Sequence, residues 1–350
     1  MRKKDGARSY IRPSNEHMAA WAHGHMKVLI IRFSSIGDIV LTTPVVRCLK
    51  RQRPDAEVHF LTKRVFADLV QHSPYISKVH LLDDGLGSII PALKKEGFDT
   101  VVDLHNNLRT WRVKRALGVP SYSFPKLNWE KWLMVNFKTD RLPNEHIVGR
   151  YMGTVAGLGV KNDSMGLDFF IPADREVPAA SLPEVHRAGY MALCIGGGHA
   201  TKRLPPHKLL ALAKEVQGPL VIIGGPEDSA TAQHIATELG PRVFDATGRF
   251  DLLGSASLIR QARSVIAHDS GAMHVAAAFN KPLVSVWGNT VPQFGMGPYM
   301  PEHKERAHVV EVVGLGCRPC SKLGYDKCPK GHFHCMEKQD IGRIAQLVNA

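Results

Sequence analysis

The sequence predicts an α/β protein made of two Rossmann-like domains that face each other across a cleft. Its 350 residues are more than one typical hydrophobic core accommodates. Short apolar runs of strand length, such as residues 28–31 and 220–223, alternate with helical segments. This alternation predicts parallel sheets with right-handed crossovers, and it starts twice, once at Met26 and again near Gly189.

The first domain is predicted over residues 26–170. Its predicted strands lie at 27–33, 57–61, 78–82 and 100–104. One helix is expected to run from about residue 39 to residue 50, directly after the first strand and its turn. Residues 1–25 carry dispersed basic side chains and lack the apolar centre of a signal peptide. We expect them to be a disordered extension, a cloning remnant or the result of a misassigned start.

The second domain is predicted over residues 189–335, after a linker at 171–188 that is rich in proline and charged residues. A C-terminal helix is expected at 336–350. The predicted strands of the second domain lie at 191–195, 220–223, 264–267 and 282–287. Each strand ends in a turn with glycine or a polar residue. Because ligands of open α/β sheets bind at the carboxyl ends of the strands, these turns are the candidate binding edge.

The formal net charge of +13 predicts anionic partners. The basic residues are dispersed and no nucleic-acid-binding motif is present, so nucleic acid is not expected as a partner. Nucleotide phosphates together with an anionic lipid surface account for the charge, and a merely basic surface accounts for it too. No run of 18 or more apolar residues occurs, so no membrane-spanning helix is predicted.

The segment at residues 122–141 combines aromatic and apolar side chains with lysines and arginines around a helix-like middle. Such a pattern is typical of a helix that docks on lipid headgroups or on an amphiphilic acceptor. The alternative is a helix that packs its tryptophan and leucine face on the sheet.

The turn with the clearest chemistry follows the third predicted strand of the second domain. Asp269 ends the strand, Ser270 suits the N-cap position of the next helix, and Gly271 lets a ligand approach the backbone. His274 lies one turn into that helix, beside its free N–H groups, where phosphates bind. An ordinary capped helix with a core histidine explains the segment equally well.

Two other turns of the second domain carry charged residues at the same edge. Lys202 and Arg203 follow the glycine turn at 196–198 and are placed to meet phosphates, unless they are only solvated side chains. Glu227 and Asp228 follow residues 224–226 at the start of another helix, and either could accept hydrogen bonds from ribose hydroxyls or simply cap that helix.

The turn after the first strand contains Ser34, Ser35, Gly37 and Asp38. It has one glycine where the usual dinucleotide fingerprint has three. Asp38 at this edge could remove a proton from an incoming hydroxyl, or it could merely favour the start of a helix.

Four of the six cysteines lie in one short segment near the end of the chain, together with two histidines: Cys317, Cys320, Cys328, Cys335, His332 and His334. Thiolates and imidazoles at such spacings suit a tetrahedral Zn²⁺ ion with a structural role. Reduced thiols packed under a loop and a redox-labile pair are the alternatives.

Three segments together resemble glycosyltransferase family 9, the heptosyltransferases of lipopolysaccharide core assembly. They are RFSSIGDIVLTTP at 32–44, HDSGAMHVAAA at 268–278 and VSVWGNT at 284–290. The resemblance covers essentially the whole chain from Met26. It implies a GT-B fold and metal-independent, inverting transfer of a heptose or related sugar from an ADP-sugar to a lipopolysaccharide core or lipid-linked glycan acceptor.

The resemblance also implies roles by motif position. Asp38 matches the catalytic base of the family, in an acceptor-side loop with Ser34, Ser35 and Gly37. The donor-binding residues that match are Lys202, Glu227, Asp269, Ser270, Gly271 and His274. No cofactor is implied for catalysis.

The expected location is the cytoplasm, at the anionic inner face of the inner membrane. A nucleotide-sugar epimerase of the same fold and a non-catalytic nucleotide- or glycan-binding protein are the competing functions. They differ from a transferase in leaving an added acceptor unglycosylated.

Overall fold

The computed structural model describes residues 25–83 and 85–350, so the predicted extension at 1–25 lies outside the described residues apart from His25. The chain divides into two compact units. The first comprises the described chain up to Ser34, Thr42–Lys126 and Val148–Asp163, and the second comprises Ser35–Leu41, Leu127–Ile147 and Ser164–Ala350.

Each unit contains one parallel sheet. Among the described residues the first sheet has five strands in the order β3-β2-β1-β4-β5, and the second has six in the order β11-β10-β9-β6-β7-β8. The strands are β1 (Lys27–Ile31), β2 (Glu57–Lys63), β3 (Lys78–Leu82), β4 (Thr100–Asp103), β5 (Ser121–Ser123), β6 (Met191–Cys194), β7 (Leu220–Ile223), β8 (Val243–Asp245), β9 (Ser264–His268), β10 (Leu283–Trp287) and β11 (Ala307–Glu311). The predicted α/β class with two Rossmann-like halves is confirmed.

α-Helices connect most of the consecutive strands, and 3₁₀ turns connect β2 to β3 and β10 to β11. The α-helices are α1 (Ile36–Val40), α2 (Thr43–Gln52), α3 (Leu86–Glu96), α4 (Leu108–Leu117), α5 (Asn128–Phe137), α6 (Ile147–Met152), α7 (Glu184–Arg187), α8 (Pro206–Glu215), α9 (Ser229–Leu239), α10 (Leu252–Gln261), α11 (Gly271–Ala278), α12 (His334–Glu337) and α13 (Ile341–Asn349). No helix of the described residues is long and apolar enough to cross a bilayer.

The prediction of one helix from residue 39 to residue 50 was wrong, because the chain forms two helices there. α1 ends at Val40, and α2 begins at Thr43 with Pro44 in its first turn. Proline has no N–H to donate and its ring collides with the preceding turn, so it starts a helix readily and does not continue one. The break allows α1 to belong to the second unit while α2 belongs to the first.

Each unit has a hydrophobic core to which both strands and helices contribute. Leu29, Ile31 and Val101 are fully buried in the first core. Leu193, Ile222, Ile266, Val286 and Ile344 are among the buried residues of the second core. Each such side chain contributes about 1.5–3 kcal/mol through burial. The two units are interleaved along the chain and are not two consecutive segments. The predicted domain boundaries therefore stay a prediction.

Candidate functional site

The candidate site is built around the start of α11, directly after strand β9. Asp269 follows the strand, and Ser270 occupies the N-cap position with an extended backbone at φ −147°. The predicted capping role of Ser270 is correct for its backbone and wrong for its side chain, because the hydroxyl makes no cap hydrogen bond. Within the described residues, Ser270 Oγ is instead buried without a hydrogen-bond partner.

Asp269 gathers side chains from two other strand ends. Lys202 Nζ lies 2.6 Å from Asp269 Oδ2, and the Thr290 hydroxyl donates to the same oxygen at 2.6 Å. Lys202 follows β6 and Thr290 follows β10, so the carboxyl ends of three strands meet here. Sequence reasoning found Lys202 and Asp269 and missed Thr290. The available signal was that Thr290, like the other two, comes just after a buried strand.

Two glycines allow α1 and α11 to approach each other closely. A Cβ added at Gly37 would lie 2.5 Å from His274 Cδ2, and one added at Gly271 would lie 2.7 Å from Ile36 Cγ2. Real Cβ atoms do not make contacts this short. Glycine is therefore needed at both positions for its size, and the two predicted site motifs meet in space at these residues.

Asp38 lies on α1 beside this contact. Asp38 Oδ2 accepts hydrogen bonds from the Ser35 backbone N–H at 3.2 Å and from the Ser35 hydroxyl at 2.9 Å. This is the helix-capping arrangement that was the alternative to catalysis. The negative charge of Asp38 also acts on His274, so the carboxylate lies near the start of α11 as well.

His274 is buried and keeps its imidazole neutral at neutral pH. Burial lowers the pKa of His274 to about 4, and the negative charges of Asp269 and Asp38 oppose that shift only in part. Its Nδ1 is buried without a partner within the described residues, as are the side-chain amide atoms of Asn289. A buried polar atom without a partner is costly, so these atoms are suited to bind a polar ligand.

The charged residues after β7 divide into a structural one and an exposed one. Asp228 is buried, where it accepts a hydrogen bond from the Gly225 N–H and pairs with Arg203 at 3.0 Å. Burial raises the pKa of Asp228, against the opposing effects of Gly225 and Arg203. Glu227, the predicted ribose contact, is exposed at the same turn. Asp228 therefore holds the turn together, and Glu227 faces solvent.

Ser34 is the fourth residue of the predicted acceptor-side loop. It belongs to the first unit, whereas Ser35, Gly37 and Asp38 belong to the second. Its carbonyl accepts a hydrogen bond from Arg32 Nε at 2.7 Å. Ser34 thus anchors the end of the first strand, and the role predicted for its side chain stays a prediction.

The cysteine-rich segment contains unlinked thiols. Cys317 Sγ lies 3.8 Å from His332 Nε2. Burial raises the pKa of the Cys335 thiol to about 12, and the neighbouring cysteines Cys320 and Cys328 contribute to the rise. Among the described residues, no three ligand atoms of this segment lie within 4.8 Å of one another. The thiols are near neighbours without the spacing of a closed tetrahedral site.

A sequence model described as glycosyltransferase family 9 (heptosyltransferase) matches residues 86–326, which is more than half of the chain. The chain belongs to glycosyltransferase family 9. The matched range of this family 9 glycosyltransferase includes Lys202, Asp269, His274 and Thr290. Asp38 lies outside the range, so its assignment depends on the motif at 32–44 and on the geometry around α1.

Similar proteins include named heptosyltransferases. The lipopolysaccharide heptosyltransferase 1 of Campylobacter coli is 25% identical over 293 residues, which cover 76% of this chain and 84% of the relative. The solved structure of Escherichia coli ADP-heptose lipopolysaccharide heptosyltransferase II has a TM-score of 0.66 at 19% identity and covers 89% of this chain and 98% of that one.

A third similar protein is the iron-containing dodecameric glycosyltransferase TibC of enterotoxigenic Escherichia coli. Its solved structure has a TM-score of 0.53 at 14% identity and covers 92% of this chain and 75% of that one. Together these comparisons confirm the predicted family and the GT-B fold. Because the chain belongs to a family of glycosyltransferases, it is a transferase, and the two competing functions, an epimerase and a non-catalytic binding protein, are set aside.

Proposed function

We propose that this family 9 glycosyltransferase transfers a heptose from ADP-heptose to a lipopolysaccharide core acceptor, with inversion at the anomeric carbon. The observation that carries the proposal is the meeting of Lys202, Asp269 and Thr290 at the start of α11, beside Asp38 on α1. The names of the similar proteins supply the sugar, the nucleotide and the acceptor class.

The donor diphosphate is proposed to bind at the N-terminus of α11. The first N–H groups of a helix and its dipole favour an anion there, and Lys202 adds a positive charge. Lys202 is already paired with Asp269. The carboxylate therefore holds the ammonium group in place before the donor arrives, so that no reorganisation is needed as charge develops on the departing ADP. Glu227, exposed at the β7 turn, is proposed to accept hydrogen bonds from the ribose.

Asp38 is proposed as the general base. It removes the proton from an acceptor hydroxyl, whose oxygen attacks the anomeric carbon on the face opposite the nucleotide. The new glycosidic bond forms as the bond to the diphosphate breaks, and ADP leaves with the electron pair. The Ser35 N–H and hydroxyl hold Asp38 Oδ2, which fixes the orientation of the carboxylate. No metal ion is assigned to this step.

The test of Asp38 is the variant Asp38→Asn, which keeps the shape of the side chain and removes its basicity. We expect a loss of about 10²–10⁴-fold in turnover with ADP-heptose and a heptose-free lipopolysaccharide acceptor, followed by mass spectrometry. Affinity for ADP, measured by calorimetry, is expected to stay unchanged. UDP-sugars and ADP-glucose in the same assay test the donor assignment.

The matched control is Asp340→Asn, because Asp340 caps α13 by accepting from the Arg343 N–H and lies in no candidate site. If capping were all that Asp38 contributed, both variants would lose a little stability and keep turnover. Near-normal turnover in Asp38→Asn would overturn the base assignment. Failure of the wild-type protein to glycosylate the acceptor would overturn the transferase proposal itself.

The acceptor is proposed to reach the enzyme at an anionic membrane surface on the cytoplasmic side of the inner membrane, with α5 as the docking element. None of the residues of α5 is buried, and Trp129, Trp132 and Phe137 are 63%, 44% and 64% exposed. The alternative, that this helix packs its tryptophan face on the sheet, is contradicted by that exposure. Lys131 and Lys322 line the adjoining groove, which has a volume of about 690 Å³.

The cysteine-rich segment is proposed to hold a structural Zn²⁺ ion through Cys317, Cys320, Cys328 and Cys335. Four thiolates would complete a tetrahedral site after small movements of the segment. The test is metal analysis of the purified protein and of Cys320→Ser. One equivalent of zinc that is present in the wild type and lost in the variant supports the proposal. One equivalent of iron in its place would change the identity of the metal. Equal metal content in both proteins would overturn the site.

A further inference from the structure

A second group of potential metal ligands lies in the first unit, apart from all residues considered so far. His59 on β2 and His80 on β3 are buried, and Glu96 ends α3. One ligand atom from each residue lies within 4.8 Å of the other two. We propose that these three residues bind a divalent transition-metal ion, with Zn²⁺ as the fitting case, and that the ion has a structural role.

The distances fit a site with three protein ligands. His59 Nδ1 lies 2.9 Å from His80 Nε2 and 4.0 Å from the Oε2 atom of Glu96. Ligand atoms on a tetrahedral ion with bonds of about 2.0–2.1 Å are a little over 3 Å apart. A small separation of the two imidazoles would admit the ion, which then replaces the hydrogen bond between them.

Glu57 supplies the outer support that metal-binding histidines usually have. His59 Nε2 donates to the Glu57 carboxylate at 2.7 Å. Because a carboxylate oxygen accepts and does not donate, this hydrogen bond places a hydrogen on His59 Nε2. His59 Nδ1 therefore presents its lone pair toward His80 and Glu96. His80 is buried as well, and its Nε2 is the ring atom that lies 2.9 Å from His59 Nδ1.

Two lysines limit the negative charge of the cluster. Lys78 Nζ lies 2.5 Å from Glu96 Oε1, and Lys27 Nζ lies 3.5 Å from Glu57 Oε2. Lys78 pairs with Oε1 of Glu96, whereas Oε2, the proposed ligand atom, lies 4.0 Å from His59 Nδ1 and 3.8 Å from Lys27 Nζ. Lys27 therefore competes with the ion for this oxygen. Because two ammonium groups offset the two carboxylates, the ion would enter an almost neutral site. We therefore expect weaker binding than in a site without lysines.

The position of the cluster indicates a structural ion. Lys27, Glu57 and Lys78 are the first residues of β1, β2 and β3, so the cluster lies at the amino end of the first sheet. Ligands of α/β enzymes bind at the opposite, carboxyl end. An ion held by His59, His80 and Glu96 would link two strands to the end of α3.

The experiment measures zinc bound to the full-length protein after chelation and dialysis against buffered, low free Zn²⁺. The wild type is compared with Glu96→Gln, with His80→Gln and with the control His234→Gln, whose histidine is exposed on α9. The cysteine-rich segment is the same in all four proteins, so any metal that it holds cancels in the comparison. Circular dichroism checks that each variant is folded.

We expect Glu96→Gln and His80→Gln each to hold one zinc equivalent less than the wild type and the His234→Gln control. Zn²⁺ should raise the melting temperature of the wild type more than that of Glu96→Gln, because a ligand of the folded state stabilises it. Glu57→Gln is expected to weaken binding about 10–100-fold without removing the site. Equal zinc content in all four proteins would mean that His59 and His80 form a hydrogen-bonded pair that binds no metal, and it would overturn the proposal. That result would leave the proposed transferase function untouched.

Discussion

Helices α11 and α5 are of similar length and belong to the same unit, yet they are stabilised in opposite ways. α11 is mostly buried, carries small residues, and meets α1 through glycine. α5 has no buried residue and presents two tryptophans that stack on each other at a centroid distance of 4.9 Å. Its end is held by Lys138, whose ammonium group donates to the Pro319 carbonyl at 2.7 Å.

The difference indicates which of the two helices is fully packed within the protein and which has a surface left for a partner. Most helices as short as these depend on tertiary packing, and α11 receives it from α1, α10 and the strands β9 and β10. α5 leaves its largest apolar side chains in water, which is the pattern of a surface that has a partner. Substitutions in the α11 region should therefore change stability, and those in α5 should change association.

The largest effect on stability is expected from Lys202→Met. Removing this largely buried ammonium group takes the ion pair away from Asp269 and leaves its hydrogen bond with the Thr290 hydroxyl. Breaking such a pair costs about 3–5 kcal/mol when the remaining charge is buried. Urea unfolding measures the loss, and ADP titration should show weakened binding. The matched control Lys322→Met, at an exposed lysine beside α5, should change stability by less than about 0.5 kcal/mol.

A smaller loss is expected from Gly37→Ala and from Gly271→Ala. Each added methyl group would collide with the facing helix, and overpacking of this kind costs about 1–3 kcal/mol. Gly342→Ala in α13 is the control, because its Cβ would meet Asp340 at an ordinary distance of 3.6 Å. That variant should be unchanged or slightly more stable, since alanine favours helices. Equal stability of all three would contradict the close contact of α1 and α11.

The pH dependence of stability should follow the buried histidine of α11. The pKa of His274 is about 4 in the folded protein against an ordinary value of 6.5, so the unfolded chain binds the proton first. Stability is therefore complete above pH 6.5 and falls as the pH drops toward 4, by up to about 1.4 kcal/mol per pH unit for this residue. The free energy of unfolding, measured in urea from pH 7 to pH 4, should fall less steeply with decreasing pH in His274→Gln than in the wild type. An identical slope would mean that His274 is protonated in the folded state.

The smallest effect on stability, and the largest on association, is expected from Trp129→Ser combined with Trp132→Ser. Unfolding in urea should change by less than about 0.5 kcal/mol for each exposed position. Binding to vesicles that contain anionic lipid should weaken at least about tenfold, since burying two indole rings is worth more than about 1.4 kcal/mol. Higher salt should weaken binding of the wild type, because Lys131 and Lys322 add charge attraction. Vesicle binding that survives the double substitution would remove α5 as the docking element.

Much of the fold was predictable from the sequence because its signals are local. The buried strands are continuous runs of valine, isoleucine and leucine, and β7 and β10 were placed within one residue. The break between α1 and α2 was missed although Pro44 marks it, since the apolar spacing continues across it. Asp38, Lys202, Asp269 and His274 were found because each follows the end of a strand. Thr290, which follows β10 in the same way, was overlooked.

The sequence by itself determined the α/β class, the family and the edge of the second sheet at which the proposed donor-binding residues lie. Only the tertiary structure decided that Thr290 joins Lys202 on Asp269, that Ser270 leaves its hydroxyl uncapped, and that Asp228 is structural while Glu227 is exposed. It also brought His59, His80 and Glu96 together from two strands and a helix. The physical reason is that periodicity and turn chemistry depend on neighbours along the chain. Hydrogen bonds, burial and ligand geometry depend on residues that are distant in sequence and adjacent only after folding.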